Sequence, residues 1–118
     1  MAVSTIIDVT RDFNADALVK LDVSGWDYIV VQLVSPTGTV TFSSTNDSGA
    51  VQGVIDGNAS TAINFIATQG TNLNSGAATT TLAASGLVRF ASIGSFLQLS
   101  GADLVTCTKI LIQLYKIN

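Results

Sequence analysis

The sequence predicts an all-β protein, an antiparallel β-sandwich with a jelly-roll-like topology as the first expectation. Three observations carry this. Apolar residues alternate with a period of two, and many are Val, Ile, Thr or Phe, which suit a pleated surface. Turn-forming clusters recur at roughly the 8–12-residue spacing of sandwiches. No stretch carries the caps and the 3.6-residue apolar stripe of a helix. The 118 residues suit one domain, 1–118, with a short N-terminal arm. A chain of this length buries roughly two-thirds of its unfolded surface, enough for stability without disulfides.

The elements follow in order. Ala17, Val19, Leu21 and Val23 alternate with Leu18, Lys20 and Asp22, giving a strand with one dry face that stops at Ser24-Gly25. Over 26–34 one face carries Trp26, Tyr28, Val30 and Val34 and the other Ile29, Val31 and Leu33. Both faces want cover, which predicts a central strand. In Ser35-Pro36-Thr37-Gly38 the proline presets φ for a tight turn, so 39–44 is expected to fold back as the hairpin partner of 26–34, with Val40 and Phe42 on one face. Asn46-Asp47-Ser48-Gly49 and Asp56-Gly57 are further turns around a strand at 50–55. The stretch 62–68 holds Ile63, Phe65 and Ile66, and 69–79, rich in Gly, Asn, Thr, Ser and Ala, is expected as a long surface loop. Short strands at 79–83, 87–91 and 95–100 are separated by Ala84-Ser85-Gly86 and Ile93-Gly94. In the last strand, 108–117, Ile110, Ile112 and Leu114 oppose Leu111, Gln113, Tyr115 and Ile117. Cover is again needed on both faces, inside a sheet or at a subunit contact.

Chemistry finds little to work with. Histidine is absent, which removes the commonest general base and the commonest zinc ligand. The single cysteine, Cys107, lies in an apolar stretch where a buried, unreactive thiol is expected. All eight acids are aspartates, at 8, 12, 16, 22, 27, 47, 56 and 103, in turn-like or wet-face contexts. Neither Asp8, Asp12 and Asp16 nor Asn46, Asp47 and Asp56 follow the order of a calcium loop. Phosphate-cradling loops and nucleophile elbows are missing too. The expectation is a protein that is not an enzyme and needs no cofactor or metal. A net charge of −3 with five scattered cations argues against nucleic acid. No stretch approaches the ~20 apolar residues that cross a bilayer, so no membrane role is expected. The N-terminus shows no basic region ahead of an apolar core, which predicts synthesis and folding in a cytoplasm.

Composition is the most informative feature. Charged residues make up 11% against the roughly 25% usual for soluble domains, while mean hydropathy is +0.51. So little charge leaves apolar surface that a monomer would prefer to bury, and obligate interfaces have this charge-depleted composition. A closed homo-oligomer is expected, with Trp26, Tyr28, Tyr115 and Ile117, on the two strands apolar on both faces, as the interface candidates. Trp26, Tyr28, Tyr115 and Phe96 also have the faces needed to stack on a sugar, although core packing accounts for aromatics in apolar strands.

The stretches Trp26-Asp27-Tyr28-Ile29-Val30-Val31-Gln32-Leu33, Ser35-Pro36-Thr37-Gly38-Thr39-Val40, Ser43-Ser44-Thr45-Asn46-Asp47-Ser48-Gly49 and Leu114-Tyr115-Lys116-Ile117-Asn118 resemble small virion proteins of tailed bacteriophages. The similarity runs from about Val23 to the end and rests on packing and turn motifs. It implies a structural virion component, a capsid decoration or cement protein made in the host bacterial cytoplasm. The implied assembly is a homotrimer that contacts other virion proteins such as the major capsid protein. The alternative it leaves open is a carbohydrate- or receptor-binding module of a tail fibre or baseplate, with 69–78 as the variable loop. No binding site transfers with the resemblance.

Overall fold

The computed structural model describes residues 2–10, 18–36, 38–46, 55–56, 65–91, 95–101 and 107–117. Among them are twelve strands and no helix: β1 (Ala2–Asp8), β2 (Leu18–Asp22), β3 (Tyr28–Val34), β4 (Val40–Thr45), β5 (Ile55–Asp56), β6 (Ile66–Ala67), β7 (Gly70–Asn72), β8 (Ala78–Thr79), β9 (Thr81–Leu82), β10 (Gly86–Ala91), β11 (Phe96–Ser100) and β12 (Lys109–Ile117). They form two antiparallel sheets. The first has the order β1-β12-β3-β10-β7-β8, and the second β5-β2-β11-β4-β6 with β9 also on β4. The protein is an all-β sandwich. The expected strands at 50–54 and 62–64 and the turn at 47–49 lie outside the described residues.

The alternation of the sequence becomes the two faces of β3, β10, β11 and β12, whereas β2 buries Lys20, expected on its wetter face, together with Val19 and Leu21. Ile29, Val31 and Leu33 of β3 and Ile110, Ile112 and Leu114 of β12 point inward from the first sheet and are buried. Val19 and Leu21 of β2, Val40 and Phe42 of β4 and Leu97 and Leu99 of β11 meet them from the second. Phe42 and Phe90 span the gap edge to face, with ring centroids 5.2 Å apart. At Gly70 a Cβ would sit 2.6 Å from Val88 Cγ1 and 2.8 Å from the Arg89 carbonyl oxygen, so only glycine lets β7 lie this close to β10.

Strand pairing is nested. β1 lies on β12, β2 on β11, β3 on β10 and β4 on β9, each pair antiparallel and each enclosing the next in sequence. Within each arm of this long ribbon consecutive partners alternate between the two sheets. The segment expected as a short N-terminal arm is β1, paired along its length with β12. The central positions predicted for 26–34 and 108–117 are observed, since β3 lies between β12 and β10 and β12 between β1 and β3.

Three local expectations are corrected. The predicted hairpin of 26–34 with 39–44 does not form, because both edges of β3 are already taken and β4 belongs to the facing sheet. Ser35, at φ 53° and with its N–H donated to Ser85 Oγ (2.8 Å), turns the chain out of the first sheet. The stretch 69–79 is a small hairpin, β7–β8, rather than an open loop, closed by Gly76 N–H to the Asn72 carbonyl (2.7 Å). The single strand predicted at 79–83 is two, with Thr79 in the first sheet and Thr81 in the second. Thr80 marks the crossing, and its carbonyl accepts from Phe42 N–H.

Candidate interaction surface

The outward face of the first sheet collects the side chains that the core does not take. Register sets them in rows across β1, β12, β3 and β10: Ser4, Tyr115, Tyr28 and Ala91, then Ile6, Gln113, Val30 and Arg89, then Asp8, Leu111, Gln32 and Leu87. Ile6 is 67% exposed and Leu87 38%, while Val30 and Leu111 are half-buried between them. A shallow depression of about 100 Å³ lies among Ile6, Val30, Gln32, Leu87, Leu111 and Gln113. Of the charged groups in these rows, Asp8 stands on the edge strand β1 and Arg89 on β10 beside Val30. Lys109 approaches Asp8 at 4.0 Å with both side chains about half exposed, a contact worth at most ~1 kcal/mol.

Trp26, Tyr28, Tyr115 and Ile117 gather at one end of this face. Tyr28 and Tyr115 stand opposite each other on β3 and β12, with ring centroids 6.3 Å apart and planes inclined by 50°. The Arg89 guanidinium carbon lies 5.9 Å from the Tyr28 centroid, a cation–π arrangement. Asp27 ties this end together: its N–H donates to the Tyr115 carbonyl (2.9 Å) and its Oδ2 accepts from Ile117 N–H (2.6 Å). Trp26 packs against the core. Two shallow clefts flank Tyr28, one of about 270 Å³ among Tyr28, Val30, Arg89, Gln113 and Tyr115, the other of about 380 Å³ among Trp26, Asp27, Tyr28, Ala91 and Ile117. Phe96 does not join them, because β11 belongs to the second sheet.

The remaining candidate groups have structural duties. Asp8 Oδ1 accepts from the N–H (2.9 Å) and the hydroxyl of Thr10, and Asp22 Oδ1 from the N–H (3.0 Å) and hydroxyl (2.5 Å) of Ser24. Both are local turns of the kind aspartate favours. Asp12, Asp16, Asp47 and Asp103 lie outside the described residues. Cys107 is buried, its Sγ 3.2 Å from the carbonyl oxygens of both Val34 and Lys109. No group of three or more His, Cys, Asp or Glu suited to a metal occurs among the described residues, and no helix there is long and apolar enough to cross a membrane.

Ile6, Leu87 and Arg89 are the surface residues that sequence reasoning missed. The run Val3-Ser4-Thr5-Ile6-Ile7 is rich in β-branched residues, a signal that marks a strand where an arm was expected.

No protein-family model and no curated protein matches the chain. Among solved structures, it is similar to the crystal structure of the SPBc2 prophage-derived protein YomS, with a TM-score of 0.59 and 13% identity. The alignment covers 98% of this chain and 93% of that one. At that identity the likeness is one of fold.

Proposed function

We propose that this chain is a structural, non-catalytic component of a phage particle that assembles with copies of itself through the outward face of its first sheet. The observation that carries the reading is the apolar surface of Ile6, Val30, Leu87 and Leu111 on a chain with so few charges. Tyr28, Tyr115 and Ile117 extend it toward Trp26. The fold shared with a prophage-derived protein supports the phage assignment, and the nested strand pairing supports a jelly-roll-like winding. Within that assignment the finer role is capsid decoration, with a lattice of the major capsid protein as partner. Light scattering coupled to size exclusion tests self-association. Cryo-EM of the intact particle tests location, and absence of the chain from purified virions refutes the particle role.

A second reading, a carbohydrate- or receptor-binding module of a fibre or baseplate, rests on the cleft of Tyr28, Arg89, Gln113 and Tyr115. There two aromatic rings stand beside a guanidinium and an amide. At about 270 Å³ it lies just below the roughly 300–1,000 Å³ of small-molecule pockets, so it suits one sugar ring. Saturable binding on a glycan array, lost in Arg89→Ala, favours this reading over decoration.

A further inference from the structure

We propose that the outer edge of β1 pairs antiparallel with the same edge of a second copy about a twofold axis, joining two first sheets into one. The inference rests on the self-association proposed above and adds to that face a backbone contact along its β1 edge.

Edge strands expose a row of N–H and C=O groups that template pairing with another chain, and proteins usually blunt them with short length, Lys or Pro. Two of the other sheet ends are short, β8 and β6 being two residues each. β1 is seven residues long, contains no Lys or Pro, and among the described residues pairs only with β12. The direction of its amides follows from one hydrogen bond. Val9 N–H donates to the Ile110 carbonyl (3.0 Å), continuing the β1–β12 register. Antiparallel ladders alternate, so Ile7, Thr5 and Val3 turn their backbone groups to β12 while Ser4 and Ile6 turn theirs outward. The Ile6 side chain, 67% exposed, stands on the outward face beside this edge.

Charge selects the partner and its orientation. The one charged residue of β1 is Asp8, at its end. In-register parallel pairing would stack the two Asp8 side chains about 5 Å apart. Antiparallel pairing centred on Ile6 sets Asp8 opposite the partner's Ser4, a hydroxyl donor. It separates the two carboxylates by four residues, roughly 13 Å, beyond the ~8 Å screening length. The edge is therefore complementary to itself, and the two Ile6 side chains meet at the axis, where the apolar surfaces of both copies become continuous.

The test uses the full chain. Size exclusion with light scattering is expected to give a dimer or an even multiple. Hydrogen exchange followed by NMR is expected to show the Ser4 and Ile6 amides slowing with protein concentration, while those of Thr5 and Ile7 are protected throughout. Ile6→Lys and Ile6→Glu, both at an exposed position, should each weaken association at least about tenfold, because like charges then face each other across the axis. Mixing the two in equal amounts should restore it. A trimer, a dimer insensitive to both variants, or no restoration on mixing overturns the edge pairing while leaving self-association standing. A monomer at all concentrations overturns both.

Discussion

Phe42 and Phe90 are each fully buried and touch edge to face across the sandwich, one from each sheet. Phe90→Ala is expected to cost about 3–5 kcal/mol, a large part of the ~5–15 kcal/mol that a domain of this size possesses. Chemical denaturation with an unchanged m-value checks this, and a loss below 1 kcal/mol would show that the core can close around the gap. Ser35 offers the opposite case. It holds φ 53°, a conformation that strains L side chains, at the exit from β3. Relief of about 1–2 kcal/mol of left-handed strain outweighs the ~0.5–1 kcal/mol entropy cost of glycine, so Ser35→Gly should be neutral or stabilise by up to about 1 kcal/mol. A measurable fall in melting temperature would contradict that balance.

At the scale of elements, β3 and β12 behave as their patterns indicate, with Ile29, Val31 and Leu33 and then Ile110, Ile112 and Leu114 turned to the core. Pattern alone left their neighbours open. Val40 and Phe42 read as one face of a hairpin partner for β3, yet the same alternation serves a strand in the facing sheet, and β4 is there. Turn chemistry was no guide at Ser35-Pro36, because a proline turn joins strands of one sheet or of two. The candidate surface was legible in part for the same reason. Tyr28 and Tyr115 stood out as aromatics on two-faced strands, and register brings them together. Ile6, Leu87 and Arg89 join them only because β1 and β10 flank β12 and β3, which neither segment encodes locally.

For the whole molecule, nested pairing sets the folding problem. β1 and β12 come from opposite ends of the chain, as do β2 and β11, so loop closure must be met before these contacts form. Refolding in stopped-flow mixing is expected on the millisecond-to-second timescale typical of all-β sandwiches, and microsecond folding would contradict the topology. Charge sets the second property of the whole. With a pI near 4.3 and only 11% charged residues, little repulsion keeps copies apart as the net charge vanishes. Turbidity is expected to rise as the pH is lowered from 7 toward about 4.3. A solution that stays clear there would mean that the apolar face is already fully covered by assembly.

The sequence by itself determined that the chain is all-β, that β3 and β12 carry apolar residues on both faces, and that its chemistry is poor in catalytic groups. These are properties of local alternation and of residue type, and they survive any choice of neighbours. Tertiary structure decided which strands lie side by side. It made β1 an edge, sent β4 to the second sheet, turned 70–79 into the β7–β8 hairpin and aligned Ile6 with Gln113, Val30 and Arg89. The physical reason is that a period-two pattern specifies the two faces of a strand and says nothing of its two edges. Edges are satisfied by backbone hydrogen bonds that every residue except proline can make, so pairing is chosen only when the whole chain closes around one core.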